Sequence, residues 1–427
     1  MPFTSMRDFR AAPRLLASAE GHYYRDVQGR EVYDLFSGLW TSGLGHCHPH
    51  IVEAVRRQVG ELDYGLGFQM SHPLAFGLAE RLAALAPNGF SSVFFTNSGS
   101  ESVDTALKIA LAYHRANGES ERFRLIGRAR GYHGVNFGGM SVGGIAANRR
   151  AFGTLLPNVD HLPHTFDLEH NAFSRGQPRW GAHLADELSN ICALHDPRSI
   201  AALIIEPVAG ATGILPPPLG YLERLREICS THGILLIFDE VITGFGRVGS
   251  AFAAERFGVT PDIITTAKGL TNGVIPMGAV LVKQEIHDAL MTGPSEMVEL
   301  AHGYTYSGHP VAAAAALATL DIYEKESSFE AARKLETQFE EALHSLAGLP
   351  NVIDVRNFGL MGAVELAPRP GSPGARALEI HKRCFWDERV VVRSAGETIQ
   401  FAPFLNSRAT ELVRAIGSVG RVISATD

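Results

Sequence analysis

Lysine is scarce in this 427-residue chain: six stand against 32 arginines, and no Gly-Lys dipeptide occurs. A phosphate loop of the Gly-x-x-x-x-Gly-Lys-Ser/Thr kind is thereby excluded, together with the nucleotide hydrolases that depend on it. Basic charge is not in excess either. The 38 basic residues are outnumbered by 45 acidic ones, giving a net charge of −7, and neither sign is gathered into blocks. Nucleic acid or an anionic membrane would call for the opposite balance. Long apolar runs are missing too; the longest, near Val311–Leu320, falls well short of the ~20 residues a membrane span requires. The four cysteines (Cys47, Cys192, Cys229 and Cys384) lie far apart without paired spacing, and read as reduced thiols of a cytoplasmic protein. Met1–Gly21 has no apolar core for a secretory signal and reads as an N-terminal arm.

What is present suits a large folded protein. Hydrophobic residues make up 45% and charged ones 19%, enough for a substantial core. The length is about three times the ~150-residue domain norm, which predicts one large domain and a smaller one. Short runs rich in Val, Ile, Leu and Phe at Ser92–Phe95, Arg124–Ile126, Ala202–Ile205, Ile234–Phe238, Ile263–Thr265 and Ala279–Val282 alternate with helical patterns. That alternation predicts a mostly parallel sheet with helices on both faces. One helix is well marked: Val103, Ala106, Leu107, Ala110, Leu111 and His114 form a stripe, Ser98 with Glu101 fits a capping box, and Gly118 closes it. Beyond Glu324 an amphipathic stretch (Phe329–Leu346) precedes strand-like runs at Val352–Val355, Gly362–Leu366 and Val390–Val392. The expected division is a segment 1–55 packing with the small domain, a large domain 56–324 and a small α+β domain 325–427.

In open α/β sheets, ligands collect where strands end and helices begin. Four features fall at such ends. Phe95-Thr96-Asn97-Ser98-Gly99-Ser100 is a small polar turn opening a helix, suited to a phosphate or simply a capped start. Asp239 follows the apolar run Ile234–Phe238, where a carboxylate needs a cation, a metal or a protonated ring nitrogen. Lys268, after Ile263–Ala267, stands among small residues; burial would leave its amine a usable nucleophile toward a carbonyl. Arg130-Gly131-Tyr132-His133-Gly134 offers an aromatic ring flanked by glycines, able to stack on a flat ligand. Together they describe a pyridoxal 5'-phosphate site. Gly45-His46-Cys47-His48-Pro49-His50 has the residue types of a metal cluster but no second ligand group at fitting spacing, so it reads as a loop entering a helix at Ile51–Val59; no metal is expected there or at His302–His309.

The segments Phe94–Ala110, Gly131–Gly144, Ile204–Gly210, Leu235–Gly249, Thr265–Gly273 and His302–Pro310 resemble class-III (fold type I) pyridoxal-phosphate aminotransferases. The likeness is narrower to the ω-amino acid–pyruvate (β-alanine–pyruvate) branch, and it extends over nearly the whole chain. It implies an α/β fold with a seven-stranded sheet, Lys268 as the Schiff-base lysine, and Asp239 as partner of the ring nitrogen. Val241 and Tyr132 would pack on the two ring faces, with His133 alongside and Glu206 near the phenolic oxygen. Gly99 and Ser100 would bind phosphate, joined by Thr305 of a neighbouring copy; a homodimer or tetramer with active sites at the subunit interface is implied. Arg393 matches the family's mobile arginine for substrate carboxylates, and Trp40, Phe68 and Tyr304 would line the amine pocket. The implied reaction moves an amino group from a small-molecule amine donor to pyruvate. Thr41–His48 and Gly65-Leu66-Gly67 depart from the β-alanine branch, so the preferred donor stays open. An aminomutase or racemase on the same fold, and a non-catalytic scaffold, are the alternatives.

Overall fold

A computed structural model describes residues 1–427. Its centre is a seven-stranded sheet in the order Phe90–Thr96, Gly278–Lys283, Ile263–Thr266, Leu235–Asp239, Ile200–Ile205, Arg124–Arg128, Val159–Leu162. Gly278–Lys283 runs antiparallel to both neighbours, and the other adjacent pairs are parallel. The inner strands are buried along their whole length, which is why they are largely apolar; Thr265, Thr266 and Asp239, at their carboxyl ends, are the buried polar exceptions. All six expected strands are present. The seventh, Val159–Leu162, carries Asp160 and His161 at a sheet edge, so its sequence lacks the apolar run of a buried strand.

Helix Gly99–Ala116 packs across this sheet, with Val103, Ala106, Leu107 and Ala110 in its buried face. Ser98 accepts the Glu101 N–H at 3.2 Å as expected of the cap. The Glu101 carboxylate does not close the box on Ser98; it takes the N–H and side-chain amide of Asn97, one residue earlier, at 2.7 and 2.9 Å. Gly233 ends helix Tyr221–His232 in the left-handed conformation, at φ 66°.

Two smaller sheets complete the molecule. Leu16–Glu20, Tyr23–Asp26 and Glu31–Asp34 form one, with Val390–Val391 added parallel to the last. Val352–Phe358, Met361–Leu366, Thr398–Phe401 and Arg393–Ala395 form the other, all antiparallel. The Val390–Val392 run is therefore the crossing point between two sheets rather than one strand. The expected helix at Ile51–Val59 spans Pro49–Glu61. Ahead of it, His46 pairs with Asp34 at 2.9 Å and its ring packs on Tyr24 and Phe404, while His50 faces Asp321 at 3.3 Å. These histidines serve packing and helix entry. No helix is long and apolar enough to cross a membrane.

Candidate active site

Five strands deliver residues to one rim of the central sheet. Thr96 leads to Gly99 and Ser100, Arg128 to Tyr132 and His133, Ile205 to Glu206, and Thr266 to Lys268; Asp239 ends its own strand. Parallel strands place these carboxyl ends side by side, which is what brings residues far apart in sequence together.

Asp239 is 5% exposed, and three donors hold it: His133 Nδ1 at 2.8 Å, Thr265 Oγ1 at 3.1 Å and the Val241 N–H at 3.2 Å. A buried carboxylate this well oriented is set to face a cation or a protonated nitrogen. Lys268 begins the turn after the next strand with a left-handed backbone (φ 47°), uncommon for a side-chain-bearing residue. Its neighbour Gly269 is tied by the Tyr323 hydroxyl, which donates to the Gly269 carbonyl at 2.8 Å. Burial pushes the Lys268 amine down to about 8, against the opposing pull of the Asp239 and Glu206 carboxylates. Glu206 accepts the Tyr132 and Gly210 N–H groups, each at 2.9 Å, and burial pushes its carboxyl above the usual range.

Trp40 covers this cluster. Its ring centroid lies 5.4 Å from Lys268 Nζ and 5.3 Å from Arg393 Cζ, and the ring is buried. Arg393 donates to the Ala211 carbonyl at 3.0 Å and to Gln400, whose amide in turn donates to Gly210 at 3.2 Å. Here the arginine is tethered by neutral acceptors, with no carboxylate of its own.

The start of helix Gly99–Ala116 is a cradle. The Gly99 and Ser100 N–H groups find no acceptor in the chain, and Ser100 Oγ accepts from the Val135 N–H at 3.1 Å. A Cβ on Gly99 would come within 2.9 Å of Val241 Cγ1, and one on Gly134 within 2.5 Å of Ser100 Oγ. Free N–H groups at a helix N-terminus, backed by glycines, fit a phosphate. An unpaired amine, an oriented buried carboxylate and this cradle at one sheet rim fit pyridoxal phosphate.

A family model described as class-III aminotransferase matches residues 5–423. The chain belongs to the class-III aminotransferases. This aminotransferase is 57% identical to an omega-aminotransferase of Caulobacter vibrioides, over all of the chain and 97% of that protein. It is 52% identical to a beta-alanine–pyruvate aminotransferase of Pseudomonas aeruginosa, over 99% of the chain and 95% of that protein. Among solved structures it resembles an amine transaminase from an uncultivated Pseudomonas species in the PLP-bound form. There the TM-score is 0.93 at 38% identity, covering 100% of this chain and 98% of the other.

The fold of this aminotransferase gathers Gly99, Ser100, Tyr132, His133, Glu206, Asp239, Val241, Lys268, Trp40 and Arg393. It sets Phe68, Tyr304 and Thr305 apart within one chain. The Tyr304 hydroxyl lies 3.2 Å from Thr105 Oγ1 and 3.4 Å from the Glu101 carbonyl, on the flank of helix Gly99–Ala116. Thr305 is exposed and its carbonyl accepts from the Tyr64 hydroxyl at 3.0 Å; Phe68 is 55% exposed beside Gly303. Thr265 and Gln400 went unread in the sequence. Thr265 is the register partner of Asp239 across a parallel pair, and Gln400 pairs with Arg393 across an antiparallel one. Neither has a local pattern that would mark it.

Proposed function

We propose that this class-III aminotransferase is a pyridoxal-phosphate-dependent ω-transaminase that moves an amino group from an ω-amino acid or primary amine to pyruvate. The products are an aldehyde or ketone and alanine. The observation that carries this reading is Lys268. Its amine has a depressed affinity for protons, makes no hydrogen bond within the chain, and lies at the sheet rim between the Asp239 and Glu206 carboxylates and the Trp40 ring. The named relatives support the same reading.

When bound, the cofactor supplies an aldehyde to take up the amino nitrogen and a ring that withdraws electrons from the adjacent carbon. The protein does the rest. The Gly99 and Ser100 N–H groups hold the phosphate, with Thr305 of a second copy completing that pocket. Asp239, oriented by His133 and Thr265, keeps a proton on the ring nitrogen. Tyr132 and Val241 bracket the ring, and Glu206 holds the Tyr132 backbone in place. Lys268 Nζ would take the proton from the substrate carbon and return it to the carbon on the other side of the imine nitrogen, a base being most effective when its affinity lies near the working pH. Arg393 leaves its neutral tether to pair with the pyruvate carboxylate, and Trp40 walls the amine side.

A dimer is part of the proposal. The loops around Phe68 and Thr305 pack on each other yet stay exposed, and the Tyr304 hydroxyl bonds the flank of helix Gly99–Ala116 at Glu101 and Thr105 rather than Gly99, Ser100, Asp239 or Lys268. Four free thiols support a reducing, cytoplasmic setting. The test is alanine formation from pyruvate with β-alanine and with an aryl-alkyl amine. Alanine from at least one donor is expected, and none with Lys268→Ala. A mutase or racemase would consume its substrate with no alanine formed, and a scaffold would consume nothing.

A further inference from the structure

The turn carrying Trp40 is bent through the left-handed region, with Ser37 at φ 44°, Gly38 at 73° and Trp40 at 59°. A serine and a tryptophan are strained there, and such backbone persists only where its surroundings over-determine it. Two grips do so. At the start, the Ser37 hydroxyl accepts from Arg247 Nη2 at 3.3 Å and donates to the Ala402 carbonyl, while Asp34 accepts the Phe36 and Gly38 N–H groups. At the end, the Asn272 carboxamide closes a two-bond bridge. Its Oδ1 accepts the Leu44 N–H at 3.0 Å and its Nδ2 donates to the Gly45 carbonyl at 2.8 Å. Between the two, the Thr41 hydroxyl presses on Gly273, where a Cβ would come within 2.8 Å.

Asn272 stands four residues beyond Lys268, is 2% exposed, and makes no hydrogen bond to Lys268, Asp239 or Glu206. It therefore ties the turn that presents the amine to the turn that presents the pocket wall. Only a carboxamide can do both: an acid would accept from Leu44 but set an oxygen against the Gly45 carbonyl. We infer that Asn272 is a specificity-determining positioning residue that fixes the height of the Trp40 ring over Lys268 and so the bulk of amine admitted. This rests on the proposed reading of Trp40 as the wall of the amine pocket.

The test uses Asn272→Gly, which tolerates the left-handed backbone (φ 52°) while removing both bonds, and Asn272→Asp, which keeps one. In the holoenzyme, the ratio of kcat/KM for an aryl-alkyl amine to that for β-alanine should rise at least about fivefold in Asn272→Gly, through KM more than kcat. Asn272→Asp should give a smaller change of the same sign. In a chain whose Trp180 and Trp386 are replaced by Phe, Trp40 emission should move to the red and become more open to acrylamide in Asn272→Gly. A folded Asn272→Gly enzyme with an unchanged ratio and unchanged Trp40 emission overturns the inference. So does an equal loss with both amines, or failure of both variants to fold, since either would make Asn272 a residue of stability alone. Should the unsubstituted chain form no alanine, the proposed function itself falls, and the inference with it.

Discussion

Lys268 is where sequence and physics meet most directly. Burial lowers its amine from an ordinary 10.5 to about 8, because the charged form loses its water. The sign follows: below about 8 the ammonium dominates and is inert, while above it the free base is nucleophilic. Capture of the cofactor aldehyde by the apo-protein should therefore speed up with pH and level off just above 8; a rise continuing to about 10.5 would show that burial does not act on this amine. Arg393 gives a second expectation. Its partners here are a backbone carbonyl and a glutamine, both neutral, so a carboxylate can draw it away. Arg393→Ala should lower the efficiency of the pyruvate half-reaction by about 10- to 100-fold, the worth of a charge-assisted pair. The half-reaction with an uncharged aryl-alkyl amine should fall far less, and rapid-mixing absorbance separates the two. Lys268 and Asp239 were legible because each ends an apolar run. The exact place of Trp40 was not: it depends on positive φ values at Ser37 and Trp40, which no spacing rule foretells.

At the scale of elements, the cradle at Gly99 is a packing argument. Its backbone does not need positive φ, so alanine is conformationally allowed; the obstacle is Val241, whose two methyls would stand 2.9 and 3.0 Å from the new Cβ. Val241 also donates its N–H to Asp239, so pushing it aside disturbs the proposed ring-nitrogen partner and the proposed phosphate turn together. Gly99→Ala should weaken cofactor binding by about 1–3 kcal/mol, as overpacking does elsewhere. Titration of the apo-protein checks this, and unchanged affinity would mean the cradle has slack. The same scale shows why the fold was largely readable. Strands buried on both faces are mostly apolar, and the helix from Gly99 announces itself by its stripe and cap. Edge strand Val159–Leu162 escapes that rule because one side needs no neighbour. The run Val390–Val392 straddles two sheets because Val390–Val391 is claimed by Tyr33 and Asp34, far back in the chain, while Arg393–Ala395 just beyond it folds back on Thr398–Gln400 as a hairpin.

For the whole molecule, the unfinished surface is the argument. Tyr64 and Phe68 lie against the His302–His309 loop through a hydroxyl–carbonyl bond, an edge-on contact with Tyr306 and close approach to Gly303. His72 fixes the base of that loop by donating to the Gly308 carbonyl at 2.6 Å. This ordered pair of loops nonetheless leaves Leu66, Phe68, Met70 and Tyr306 at least half exposed. Monomers rarely display a patch so apolar and so well braced, and in the proposed dimer a second copy covers it and brings Thr305 to the proposed phosphate pocket. Sedimentation should give twice the 46.1 kDa chain mass or a multiple of it. Replacing Phe68 and Tyr306 by Asp should yield a monomer, and the coupling between assembly and chemistry then becomes visible. If Thr305 of the second copy helps hold the phosphate, that monomer binds cofactor more weakly although Lys268, Asp239 and Gly99 are untouched. A monomer with full cofactor affinity and full activity would place the whole site within one chain and leave the apolar patch without a catalytic role.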